Sequence, residues 1–181
     1  MSSQQLLLIA GVALLVFWML GAYNRLVALR NGIIAAWSQV DEPLQRRAAA
    51  ITGLLAGLRA HLPDEGSALD AVQAAQQQLR GAADALRARP AQAPRAAALA
   101  GAEAALAGTL ARLLALLEQR PDLGAADDIG PHAVALRDAT QRLAFARQLF
   151  NDAVMTYNTA ARQFPTRLLS VLFGFAVAGT L

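Results

Sequence analysis

The chain has 181 residues, which is enough for one domain with its own core and too few to expect two. Hydrophobic residues make up 56% of it and charged residues 16%, which excludes a disordered chain and indicates that part of it lies in lipid. The absence of cysteine excludes disulfides, thiolate catalysis and cysteine-ligated metals. A net charge of +3, with arginines that have no interleaved aromatic residues, predicts no nucleic-acid partner.

An uncharged apolar run extends from Leu6 to Tyr23 and is long enough to cross a bilayer as one helix. The alternative is a cleaved signal peptide, but residues 1–5 lack the basic residues with which such a peptide begins. Positive charge follows the run at Arg25 and Arg30. The distribution of arginine therefore predicts a single-pass protein with residues 1–5 outside the cell and residues 24–164 in the cytoplasm.

Residues 24–164 predict an all-α domain, because Ala, Leu, Arg and Gln dominate and no strand-like alternation occurs. Proline and glycine divide this domain into four predicted helices, namely Asn24–Leu62, Ser67–Ala88 with Ser67 as N-cap, Arg95–Glu118 and His132–Phe164. The stretch Pro121–Pro131 predicts an ordered surface loop. The predicted fold is an N-terminal transmembrane helix that continues into an antiparallel bundle of about four long helices.

Two residues stand out within the first predicted helix. Pro43 removes a backbone hydrogen bond and crowds the preceding turn, so it predicts either a kink near Val40 or the start of a new helix. Arg47 falls on the apolar stripe of this helix and therefore predicts an acidic partner.

The fourth predicted helix carries a seam in which large and small residues alternate at heptad spacing. The seam comprises Leu136, Ala139, Leu143, Ala146, Phe150, Ala153, Tyr157, Ala160 and Phe164, and Trp37 occupies a comparable position on the first helix. Such a seam predicts close packing against a neighbouring helix, either within the chain or in another subunit.

An apolar tail occupies residues 165–181. An up-and-down bundle returns its fourth helix to the bilayer and so places this tail near lipid. Its run of about a dozen apolar residues is too short to span a membrane but suits the membrane interface, and a helix that caps the core is the alternative.

Several segments resemble the LemA family of bacterial membrane proteins. They are YNRLVALRN and AWSQVDEPLQRR between Tyr23 and Arg47, RLLALLEQRPDL ending at Leu123, and Leu143–Phe175, in which FP and LFGF follow a YN-type helix. The resemblance implies a membrane helix followed by a bundle of long helices, with a short outer N-terminus at the bacterial inner membrane. One family relative is associated with magnetosome membrane formation, which implies a role in membrane organisation. Pro43 departs from the family's unbroken helix.

The resemblance also singles out a set of polar residues on the first and fourth helices. They are Asn24, Arg25, Gln39, Asp41, Arg46, Arg47, Asn151, Asp152 and Asn158. We expect the two helices to bring several of them together as a buried or partner-facing polar network, and the alternative is that they only fix helix register.

No local catalytic motif occurs in the sequence, and neither histidine has a second ligand at metal-binding spacing. The sequence therefore predicts no enzyme, no catalytic residue, no cofactor and no metal. The predicted function is a membrane-anchored scaffold that forms a homo-oligomer and organises membrane lipid or recruits partners. The alternative is a monomeric adaptor for another membrane protein, such as a protease or a transporter.

Overall fold

A computed structural model describes residues 2–124 and 126–181 of the chain, which form helices and connecting segments without a strand. The helices are α1 (Ser3–His61), α2 (Gly66–Ala88), α3 (Ala93–Gln119), α4 (Pro121–Gly124), α5 (Gly130–Arg162) and α6 (Thr166–Leu172). A 3-10 turn, Pro63–Glu65, joins α1 to α2. Met1 of the predicted outer segment and Ala125 of the predicted loop lie outside the described residues.

The predicted membrane helix and the first bundle helix are one element, because α1 runs through residues 3–61 without a break. Its buried positions recur every three or four residues, which keeps one stripe facing its neighbours. The stripe comprises Leu26, Ile33, Trp37, Val40, Leu44, Arg47, Ile51, Leu54 and Leu58. A new helix at Pro43 was a wrong expectation, because this proline is buried inside α1 and the bundle around it supports the helical backbone.

The bundle alternates up and down. Trp37 of α1 packs edge-on against Phe150 of α5, with ring centroids 6.1 Å apart. Further along α1, Gly57 lies beneath Ile129 at the start of α5, so the two helices run antiparallel. Arg59 near the end of α1 donates to Asp70 near the start of α2, and Arg87 near the end of α2 donates to Asp41 earlier in α1, so α2 is antiparallel to α1 as well. Since only residues 89–92 connect α2 to α3, these two form a helical hairpin.

The four long helices were predicted correctly, but several details of their ends were not. α2 begins at Gly66, and Glu65 rather than Ser67 occupies its N-cap position without a capping side chain. The predicted loop 121–131 contains the short helix α4, and α5 begins at Gly130 within it. α5 ends at Arg162, because Gln163 is extended and the backbone before a proline disfavours helix.

The heptad seam packs within the chain. Its members from Leu136 to Ala160 are buried or partly buried in the core between α5 and α1, together with Trp37. Phe164 is the exception, since it lies beyond the end of α5 and its side chain is 80% exposed. Its assignment to the seam was wrong, and the remaining seam positions are occupied by packing inside one molecule.

The apolar tail divides into two parts. α6 follows Pro165 and buries only Leu169 and Ser170. Gly174 then adopts a positive φ of 69°, and the chain from Phe175 to Leu181 is extended along the bundle, where Ala178 joins the core. A single core-capping helix therefore does not describe this segment.

Among the residues that the structure describes, two helices, α1 and α3, are apolar and long enough to cross a membrane. None of the most apolar 18-residue window of α1 is buried, whereas α3 packs against α2 and supplies core residues such as Leu99 and Leu106. The N-terminal part of α1 is therefore the candidate membrane span.

Candidate functional site

The polar residues singled out by the resemblance occupy several places rather than one. Asn24, Arg25, Gln39, Arg46 and Asp152 are exposed, whereas Asp41, Arg47, Asn151 and Asn158 are buried or partly buried. Within the described residues, no hydrogen bond joins two members of this set. The structure therefore replaces one expected network by two separate sites, an ionic group between α1, α2 and α3 and a clamp between α5 and the tail.

Arg47 is the buried centre of the ionic group. It occupies the apolar stripe of α1, and its guanidinium donates to the carboxylate of Glu103 on α3. The two side chains are both largely buried, so the prediction of an acidic partner for Arg47 is confirmed. Because each charge would be costly to bury alone, this ion pair fixes α3 against α1.

Asp41 lies six residues before Arg47 on α1 and binds α2. Arg87 of α2 donates to both carboxylate oxygens of Asp41, from Nη2 at 2.5 Å and from Nε at 3.2 Å. Gln45 donates to the same carboxylate at 2.9 Å. The hydrogen bond to Asp41 raises the pKa of Arg87 above its ordinary value and outweighs the opposing effect of burial.

A cleft of about 380 Å³ lies beside this ionic group, between α1 and α2. Apolar side chains such as Ile51 and Leu79 line part of it. Gln76 closes one side, because its amide donates to the carbonyl of Ala48 at 2.7 Å. Sequence reasoning missed Gln76, Arg87 and Glu103, whose partners come from other helices and leave no local signal.

The second site is a clamp formed by Asn151 and Asn158, seven residues apart on α5. The amide of Asn158 donates to the carbonyl of Ala178 at 2.9 Å and accepts from the amide N–H of the same residue at 2.9 Å. Asn151 makes the equivalent pair of bonds with Leu181, at 2.9 and 2.8 Å. Each asparagine thus pairs with the tail backbone as a neighbouring strand would.

Two neighbours complete this clamp. Tyr157 donates its hydroxyl to the carbonyl of Ala176 at 3.0 Å, and burial raises the pKa of this tyrosine. Gly179 rests on α3 so closely that an added Cβ would lie 2.7 Å from Cα of Ala93. The clamp therefore binds the tail through its backbone, and the close contact with α3 requires a very small residue at position 179.

The two histidines lie at the far end of the bundle. His61 Nε2 is 3.1 Å from a carboxylate oxygen of Asp128, and the ring of His132 covers Gly53. Over residues 2–124 and 126–181, no three His, Asp or Glu side chains gather as metal ligands would.

An apolar helix of membrane-spanning length that continues into a packed helical bundle defines a membrane-associated helical protein. The chain belongs to the LemA family, whose family model matches residues 36–180. Over 78 residues it is 36% identical to the magnetosome protein MamQ of Magnetospirillum gryphiswaldense. It is 32% identical to the magnetosome proteins MamQ 1 and MamQ 2 of Paramagnetospirillum magneticum. Each match covers 43% of this chain and 29% of the relative, so the chain spans under a third of these relatives' length.

The buried ion pair predicts a non-additive effect on stability. Glu103→Leu leaves the guanidinium of Arg47 buried without its partner and should lower the free energy of unfolding by about 3–5 kcal/mol. Adding Arg47→Met should restore most of this loss, because the pair is then replaced by apolar groups of similar size. Chemical unfolding in mild detergent, followed by circular dichroism, measures both changes.

The control for these single and double variants is Arg142→Ala, which breaks the exposed ion pair of Arg142 with Asp138 on α5. It should change the free energy of unfolding by less than about 1 kcal/mol. Equal stability of the single and double variants at positions 47 and 103 would contradict the proposed coupling.

The clamp predicts that Asn158→Ala loosens the tail. The change removes two hydrogen bonds worth about 1 kcal/mol each, which should speed hydrogen exchange in residues 175–181 about 30-fold. Mass-spectrometric hydrogen exchange on the full-length protein measures this rate. Asn24→Ala, at an exposed asparagine of α1, is the matched control and should leave the tail unchanged. Unchanged exchange in Asn158→Ala would mean that the clamp does not hold the tail.

Proposed function

We propose that this protein is a non-enzymatic, membrane-anchored scaffold of the bacterial inner membrane that self-associates and organises membrane or recruits partners. In this proposal residues 6–23 cross the bilayer once, residues 2–5 face outward and the bundle lies in the cytoplasm. Arginines at positions 25 and 30, directly after the apolar run, support that orientation.

The proposed membrane anchor is supported by a contrast in burial between the two ends of α1. Large apolar side chains such as Leu7, Leu14 and Phe17 are exposed, yet the same helix supplies the core stripe that begins at Leu26. An apolar surface of this size is unfavourable in water but matches a hydrocarbon environment. Because the helix is continuous, an anchor at one end sets the direction in which the bundle leaves the membrane.

Self-association needs a surface other than the heptad seam, which is filled within the chain. We define the α1–α5 face by Gln39, Phe145 and Leu149, which line one shallow groove between these helices. Phe145 is 64% exposed and Leu149 is 41% exposed. Bundles anchored in one membrane share their orientation, so their lateral faces are the surfaces that meet.

The charges around the α1–α5 face suit a contact between two copies. The ion pair of Glu42 with Arg46 lies on its α1 side, and that of Asp138 with Arg142 lies on its α5 side. A two-fold contact presents the same patch twice, so a patch with an apolar centre and both charge signs at its rim is self-complementary. This face therefore offers a second copy both apolar contact and ionic partners.

The likeness to magnetosome proteins gives separate support. The match extends over 78 residues and covers less than a third of each relative. A match of this kind is consistent with a helical module that the proteins share. The organising role that we propose is an analogy drawn from those relatives.

The proposed self-association predicts that Leu149→Arg weakens assembly about 30-fold, because it places an unmatched charge at the centre of the apolar contact. Leu114→Arg on α3 is the matched control, since Leu114 is 38% exposed and lies outside this face. Mass photometry of full-length protein in nanodiscs, over a range of protein to lipid ratios, measures the copy number. A single copy in the unaltered protein at every ratio would reject the scaffold and favour the monomeric adaptor.

A further inference from the structure

The segment around α6 lies at the same height as the end of the candidate membrane span. Tyr23, the last residue of the apolar run, packs edge-on against Phe173 and Phe175, with ring centroids 5.3 and 5.6 Å away. Residues 3–17 of α1 are exposed, and partial burial begins at Trp18 and Met19, about one turn before Tyr23. α6 is therefore positioned beside the point at which α1 would leave the lipid.

The outward side of α6 is apolar. Leu168, Val171 and Leu172 project from one side of the helix and are exposed, and Val171 reaches 82% exposure. Phe164, just before α6, adds an exposed aromatic ring. The opposite side faces the bundle through Leu169 and Ser170, which are buried. α6 thus packs on the bundle by one side and leaves an apolar side uncovered by the chain.

The charge of this region is positive. Arg162 and Arg167 flank Phe164, and Arg30 of α1 lines the same groove as Gly174 and Phe175. The last acidic residue of the sequence is Asp152, so the chain from residue 153 to residue 181 carries no negative side chain. Exposed apolar groups bordered by arginine favour the boundary between the headgroups and acyl chains of an anionic bilayer.

The bundle holds α6 in this place at two points. Ser170 donates its hydroxyl to the carbonyl of Ala161 near the end of α5, at 2.9 Å. On the other side, the asparagine clamp fixes the segment that follows Gly174. The apolar side of α6 is consequently presented in a defined direction and is not free to turn inward.

We infer that α6, together with Phe164, binds the headgroup–acyl boundary of the leaflet that α1 leaves and forms a second membrane contact of the protein. This inference rests on the proposed membrane span. Two contacts, one along the bilayer normal and one in its plane, fix the rotation of the bundle about α1 as well as its direction. The α1–α5 face is then held at a constant angle to the membrane surface.

The absence of cysteine allows a direct test with single spin labels on the full-length protein. A nitroxide is attached at Val171→Cys, and its collisions with oxygen and with a water-soluble nickel chelate give its depth in phosphatidylcholine–phosphatidylglycerol vesicles. Leu14→Cys, in the middle of the apolar run, is the lipid reference, and Val134→Cys, exposed near the start of α5, is the water reference. All three sites are exposed, so the label disturbs no packing.

The expected result is a label at position 171 that lies roughly 5–10 Å within the headgroup–acyl boundary, between the two references. A label at 171 as accessible to the nickel chelate as the one at 134, while the label at 14 lies in lipid, overturns the inference and leaves the span intact. A label at 14 that is also in water overturns the membrane span, and the inference falls with it.

Discussion

The continuity of α1 is the constraint on which the rest of the structure depends. A helix of 59 residues extends for about 90 Å at 1.5 Å per residue, and it carries the candidate membrane span and the core stripe on one axis. Since no hinge separates them, the span sets both the direction of the bundle and the height of each residue above the lipid. α5 runs antiparallel along the stripe, so its C-terminal end and α6 return to the level of Tyr23.

The buried polar groups act inside this apolar frame and fix which helices meet. A stripe of leucines and alanines tolerates sliding, because many registers bury similar area. Arg47 with Glu103, and Asp41 with Arg87, each accept one register, since a shift of one turn would separate buried or half-buried charges. Asn151 and Asn158 impose the register of the tail in the same way. The polar family residues that are buried or partly buried thus hold helices and the tail in place within the bundle.

The four long helices and most of the core were predictable from the sequence, because heptad spacing and the positions of proline and glycine are local signals. The need of Arg47 for a partner was predictable as well, since a charge on an apolar stripe is unfavourable alone. Its partner was not, because Glu103 is one of 13 acidic residues and nothing in the sequence distinguishes it. The clamp was also hidden, since Asn158 pairs with the backbone of Ala178, which any residue there would offer. Two errors concern prolines and have opposite causes. At Phe164, periodicity was extended into the residue before a proline, although α5 has already ended at Arg162. At position 43, a proline was expected to begin a new helix, although it lies buried inside the continuous α1.

The continuity of α1 is tested most directly by a distance measured along this helix, from the end of the candidate membrane span to a site beyond Pro43. Spin labels at Gly21→Cys and Ala49→Cys occupy exposed positions on α1. In full-length protein in nanodiscs, double electron–electron resonance should give one narrow distribution centred at roughly 42 Å, the length of an unbroken helix between the two sites. A broad distribution, or a mean shorter by about one third, would show that α1 bends or breaks between the lipid and the bundle and would contradict the account.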